Sequence, residues 1–327
     1  MLRRLSVLLA LTAPWTSASL AAPDDQAPSG APAAPPRQPQ DAQAFPVGQW
    51  PEGLMVSGGS VWVTESGVRS VARLDAATGE RQKTIKIGRL PVSIAAAPDG
   101  AAIVQVSTNK VIKRIDAKTG KVAEVVKTPD GPEETVVDGP YAYTLLWQAD
   151  SSAGSSVLRT HLATRKTTRS ANTGADAFGL AVGGRSVWIA RGGGEVSVID
   201  ATTLAPRGVV RLGGRPYYAA YGAGAAIIAG SKAVARIDPE TLQVTARAEL
   251  GAHVRAVAAF DDVVIVGTVD GDLWLLEPKS LAVRVILTPS TVFEPHGIAR
   301  DGQTVWVTTH SGLAGGDGGA VVRIALP

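Results

Sequence analysis

The stretch Arg73-Leu74-Asp75-Ala76-Ala77-Thr78-Gly79-Glu80 returns as Arg114-Ile115-Asp116-Ala117-Lys118-Thr119-Gly120-Lys121. Degenerate copies follow at Ile199-Asp200-Ala201-Thr202-Thr203-Leu204, Ile237-Asp238-Pro239-Glu240-Thr241-Leu242 and Leu276-Glu277-Pro278-Lys279-Ser280-Leu281. A further copy, Arg159-Thr160-His161-Leu162-Ala163-Thr164, has His161 in the acidic place. Counting His161, these places are spaced by 41, 45, 39, 38 and 39 residues. The phrase has the chemistry of a tight turn. An Asp carboxylate accepts backbone N–H groups just ahead of it, Pro presets φ, and Gly tolerates a positive φ.

Upstream of the turns, Gly/Asp pairs precede apolar triples: Gly58-Gly59 before Val61-Trp62-Val63, Gly183-Gly184 before Val187-Trp188-Ile189, and Asp301-Gly302 before Val305-Trp306-Val307. Runs apolar on successive positions are strands covered on both faces. A further strand precedes each pair, as in Val92-Ser93-Ile94-Ala95-Ala96. Each period is thus four short antiparallel strands, and a period near 40 residues built this way is a β-propeller blade. Strand starts near Glu52, Val92, Glu133, Phe178, Tyr217, Arg255 and His296 predict seven blades. The last blade ends at Val321-Val322-Arg323-Ile324 without room for a fourth strand. Ala44-Phe45-Pro46-Val47 is expected to supply it, closing the ring and removing an exposed edge. The propeller therefore runs from 44 to 327.

Residues 1–21 have the order of a secretory signal peptide: the basic head Met1-Leu2-Arg3-Arg4, an apolar stretch from Leu5 to Leu11, and small residues before a cut after Ala21. Residues 22–43 are rich in Pro and Ala and read as an extended linker. The expected location is periplasmic or secreted, with no membrane insertion once the signal is removed. Losing Arg3 and Arg4 takes the formal charge from +3 to +1, too little to point to nucleic acid. Lys110, Lys113, Arg114, Lys118 and Lys121 read as a solvated sheet edge. The chain has no Cys, which excludes disulfides, thiolate metal sites and thiol catalysis. A monomer is expected.

In a blade, the first strand begins and the second ends on the same face of the disc. Glu294, His296 and His310 in the seventh blade therefore converge at one mouth of the central channel. The other blades bring Glu52, Glu133, Phe178, Tyr217 and Arg255 to the position of His296. The long insertions Gln148 to Ser156 and Ser311 to Gly319 leave the ends of second strands and rim the same mouth. A concave channel end edged by loops is where such a scaffold binds a small molecule or a protein partner. His253 reads as a surface-loop residue, and His161 lies on the opposite face.

Glu294-Pro295-His296-Gly297-Ile298, then Asp301-Gly302, Thr304 and Val305-Trp306, resemble the final blade of the virginiamycin B lyase (streptogramin lyase) family. Trp62-Val63-Thr64-Glu65 and the Arg-Ile-Asp turns are similar to that family's repeats and to YVTN-type bacterial propellers. The resemblance implies a metal-assisted C–O lyase that opens an ester or lactone of a cyclic depsipeptide. It makes His296 the general base and Glu294 a carboxylate at the metal, with His310 in place of the family's second metal-side Glu. Arg255 stands where the family's sixth blade has a His. Magnesium prefers oxygen ligands, so a Glu/His pair suits Mn²⁺ or Zn²⁺ better than Mg²⁺, or else no ion at all.

Overall fold

The computed structural model describes residues 37–39, 41–147, 154–292, 294–310 and 318–327. The expected signal peptide, most of the linker and the greater part of both mouth insertions lie outside them.

The strands form seven four-stranded antiparallel sheets. Six are built in chain order from the inside out, beginning at Pro51–Ser57, Pro91–Ala96, Gly131–Asp138, Ala177–Gly183, Pro216–Gly222 and Val254–Ala259. The seventh runs Pro295–Asp301, Thr304–Thr309 and Gly319–Ala325, and its fourth strand is Gln43–Val47 from the other end of the chain. Ala44 pairs with Val322 and Val47 with Gly319, so the ring closes as expected, one residue earlier than the sequence suggested. Innermost strands touch in the order one to seven and back to one.

Second strands are buried over most of their length, with Trp62, Trp188 and Trp306 fully enclosed. The cores lie between blades: Met55 and Trp62 of blade one pack with Ile94 and Val104 of blade two, while Val61 and Val63 pack with Trp306 and Val321 of blade seven. Of the basic residues read as a sheet edge, none lies in the outer strand. Lys113 and Arg114 lie in the third strand of blade two, Val111–Ile115, and the outer strand is Val122–Lys127. The Lys113 ammonium donates to the Ile87 carbonyl in the connection from blade one, and Arg114 pairs with Asp99 in the turn after the first strand, so these charges serve contacts at the margins of the sheet.

The repeated turns do what their residues dictate. Asp75 Oδ1 accepts the N–H groups of Ala77 and Thr78, each at 2.9 Å, and Asp116, Asp200, Asp238 and Glu277 accept theirs in the same way. These bonds hold the four Asp carboxyls and Glu277 below their usual ranges. In blade three the His161 ring fills the same role: Nδ1 accepts from Ala163 and Thr164 at 3.3 Å.

Candidate functional site at the channel mouth

Every innermost strand is irregular at one place. Its ladder slips between Pro51 and Leu54, Pro91 and Ile94, Pro132 and Glu134, Ala177 and Gly179, Pro216 and Tyr218, Val254 and Ala256, and Pro295 and Ile298. Each slip contains one ring residue: Glu52, Val92, Glu133, Phe178, Tyr217, Arg255 or His296. A bulge leaves its extra residue out of the ladder and re-aims its side chain. Five of the seven ring residues follow a Pro, which lacks the N–H a regular ladder needs and so sits at the strand start. That Pro is the local signal that marks the ring in the sequence.

Blades one, six and seven supply the polar half of the mouth. Glu52, His296 and His310 present ligand-type atoms that all lie within 4.8 Å of one another. The His296 Nδ1 is 3.2 Å from Glu52 Oε2, and the His310 Nε2 is 3.5 Å from Glu52 Oε1. The two imidazoles stack face to face. The Arg255 Nη2 stands 2.9 Å from His296 Nε2. A guanidinium only donates, so this Nε2 accepts and the His296 proton sits on Nδ1, facing Glu52. Burial pushes the Glu52 carboxyl up, but the two imidazoles more than offset this and hold it at about 2.

The close meeting of blades one and seven depends on Gly297, the residue after His296. A Cβ there would fall 2.8 Å from the Glu52 carbonyl oxygen and 2.7 Å from Leu54 Cβ. Thr308 fastens the same contact: its hydroxyl accepts from the Gly297 N–H at 2.7 Å and donates to the Glu52 carbonyl at 3.1 Å. Thr64 does the same between Gly53 and Val92.

Glu294 is not in the carboxylate–imidazole group. It is 52% exposed, in the left-handed region at φ 45°, and lies 3.9 Å from Arg255 Nη2. Glu52, from the far end of the chain, occupies the place beside the imidazoles. Glu133 is half-buried, and its carboxyl is pushed up by burial and by the charge of Glu52. Its neighbour Glu134, which the sequence reading passed over, is pushed up to about 8 by burial, against the pull of the Leu180 N–H it accepts at 2.6 Å. Blades four and five supply an aromatic half, Phe178 and Tyr217, with centroids 5.1 Å apart at 75°. Exposed His253 stands outside the group.

The donor set of Glu52 and His310 suits a transition metal ion: one carboxylate oxygen, and one buried imidazole nitrogen with no hydrogen-bond partner among the described residues. His296 fits less well. Coordination through Nδ1 would move its proton to Nε2, opposite the N–H of Arg255, and set two donors against each other.

No protein-family model matches the chain, and no curated protein does. Solved structures do. The chain is similar to the WD40 repeats of RRP9, with a TM-score of 0.74 and 13% identity over 89% of this chain and 99% of that one. It is also similar to U3-55K, with a TM-score of 0.75 and 13% identity over 88% and 99%. At that identity the likeness concerns the fold, and by fold this chain is a seven-bladed β-propeller.

Proposed function

We propose that the chain is an exported propeller, periplasmic or secreted, that holds a small molecule at the mouth of its central channel. The observation that carries this reading is the convergence of Glu52, Arg255, His296 and His310 from three blades into one partly exposed cluster beside an aromatic pair. A water-filled channel needs polar walls but no stacked imidazoles bridged to a carboxylate. A propeller mouth with converging polar groups is also the concave site that ligands favour. The test is a thermal-shift screen of a periplasmic metabolite library against the wild type and His296→Ala. A ligand that raises Tm in the first and not in the second supports the reading. A single stoichiometric protein partner captured from periplasmic extract, lost with the same variant, would replace the small molecule with a protein. Export predicts a mature chain that begins at Ala22, read by mass spectrometry of the periplasmic fraction.

A second reading is the metal-assisted C–O lyase that the resemblance implies. It is favoured by the three ligand atoms within 4.8 Å of one another. A divalent ion held by Glu52 and His310 would supply polarisation of an ester carbonyl. His296 would then have to give up the hydrogen bond from Arg255 before it could take a proton. Metal analysis decides: a stoichiometric ion lost on Glu52→Ala, together with EDTA-sensitive opening of a cyclic depsipeptide, would favour the lyase over simple binding.

A further inference from the structure

We infer that the ligand of the mouth is an aryl carboxylate, with its ring against Trp147, Phe178 and Tyr217 and its carboxylate on Arg255. This rests on the reading of the mouth as a small-molecule site and adds the chemical class.

Ring order is the first argument. Around the channel the bulged residues run Glu52, Val92, Glu133, Phe178, Tyr217, Arg255 and His296, and adjacent blades make adjacent residues neighbours. The one guanidinium of the ring thus directly follows its two aromatic residues. Trp147 extends the aromatic arc. It ends the second strand of blade three, opposite Gly131, and its ring lies 6.3 Å from Phe178 at 48°. With 38% of its surface exposed it is one of few large apolar residues so open.

The second argument is space. The residue that follows a second strand stands at the mouth end of its blade: Ser66, Ser107, Ser231, Val269 and His310 hold this place in blades one, two, five, six and seven. In blade four it is Gly192, where a Cβ would lie 3.2 Å from Phe178 Cε2 and 3.4 Å from Tyr217 Cε1. A side chain at this place would press on both rings, so the glycine keeps their flank free of one.

The third argument is geometry. Phe178 and Tyr217 meet edge to face, which presents one ring face and one ring edge. A further aromatic ring extends such a herringbone, because faces carry negative and edges positive partial charge. Sugars stack on flat faces with polar groups close by, and the flank here is bare Gly192. Arg255 has charge to offer. It gives one short hydrogen bond, to His296, lies 3.9 Å from Glu294, and its buried Nε has no partner among the described residues. A planar fork of N–H donors matches a carboxylate.

Calorimetric titration of the full mature chain with 2-naphthoate tests this, with trans-decahydro-2-naphthoate and 2-naphthol as comparators. Saturable binding of naphthoate is expected, tighter than either comparator. Phe178→Leu and Tyr217→Leu should each weaken it about three- to tenfold while leaving the saturated analogue unaffected. Arg255→Gln should weaken naphthoate about tenfold and leave naphthol alone. An unchanged far-ultraviolet circular dichroism spectrum and a cooperative thermal transition show that each variant is folded. Equal binding of the saturated analogue, sensitive to Arg255→Gln but not to the Leu variants, would overturn the aromatic component and leave the mouth as an anion site. No saturable binding of naphthoate would overturn the inference outright, while the library screen with His296→Ala would still judge the mouth independently.

Discussion

The imidazole rings of His296 and His310 lie face to face, their centroids 3.6 Å apart and 14° from parallel. One comes from a bulge at the start of an innermost strand and the other from the end of the strand beside it. The Glu52 carboxylate faces a nitrogen of each ring. One anion shared by two imidazoles makes the mouth an electrostatic unit, and the following experiments probe it and the scaffold behind it.

Glu52 contributes to stability where it is ionised. Its folded value of about 2 lies below the ordinary 4.5, so the contribution is present above pH 4.5 and is lost as pH falls toward 2. Glu52→Gln should flatten part of the acid limb of Tm against pH by up to about 3 kcal/mol. The turn carboxylates, and Asp99 and Asp262 beside Arg114 and Arg300, contribute to the same limb. An acid limb identical in wild type and variant would remove Glu52 from this role.

Glu134 has the opposite sign. Its folded value of about 8 lies above 4.5, so the folded chain holds a proton that the unfolded chain has released. Stability should therefore fall as pH rises from 4.5 to 8. Glu134→Gln keeps an oxygen to accept the Leu180 N–H and cannot ionise. The variant should be more stable than wild type at pH 9 by up to about 5 kcal/mol, with the difference shrinking at pH 5. Urea unfolding at the two pH values measures it.

Gly297→Ala places a methyl group against the backbone of blade one. The expected cost is about 1–3 kcal/mol, with loss of mouth function that exceeds the loss of stability, because Glu52 is pushed from the imidazoles. Ligand binding by the variant at 15 °C, where it remains folded, separates the two effects. Binding as tight as in wild type would show that this close approach does not set the site.

Phe45 anchors the closing strand. Its ring lies 5.7 Å from Trp306 and beneath the Arg323 guanidinium. Phe45→Ala should cost about 2–4 kcal/mol. Removing residues up to Val47 should do more, baring the Gly319–Ala325 edge and driving self-association visible by light scattering. A truncated chain that stays monomeric with unchanged Tm would disprove ring closure by this strand.

Much of this fold was legible in the residues themselves. The Asp75 and Asp116 turns, the buried triples around Trp62, Trp188 and Trp306, and the missing fourth strand of blade seven gave the number of blades and the way the ring shuts. Such features are local. A carboxylate caps N–H groups two and three residues ahead, and a strand covered on both faces is apolar at successive positions, whatever lies elsewhere. The ring positions were legible too, because antiparallel topology sends a first-strand start and a second-strand end to one face.

What the chain order concealed was which ring residues touch. Glu294, two residues from His296, was the natural partner by proximity along the chain, but its backbone turns left-handed and leaves the side chain near Arg255. Glu52 reaches His296 because ring closure makes blades one and seven neighbours and Gly297 lets their strands approach. Glu134 drew no notice because the slip after Pro132 is a property of the paired strands and not of the residue. Sequence by itself determined the count of blades, their turns and their closure: the turns by hydrogen bonding within a few residues, the count by the repeat, and the closure by the fourth strand that the last repeat lacks. Tertiary structure alone decided the Glu52–His296–His310 cluster, because that contact depends on how closely the innermost strands of two neighbouring blades pack where the ring closes.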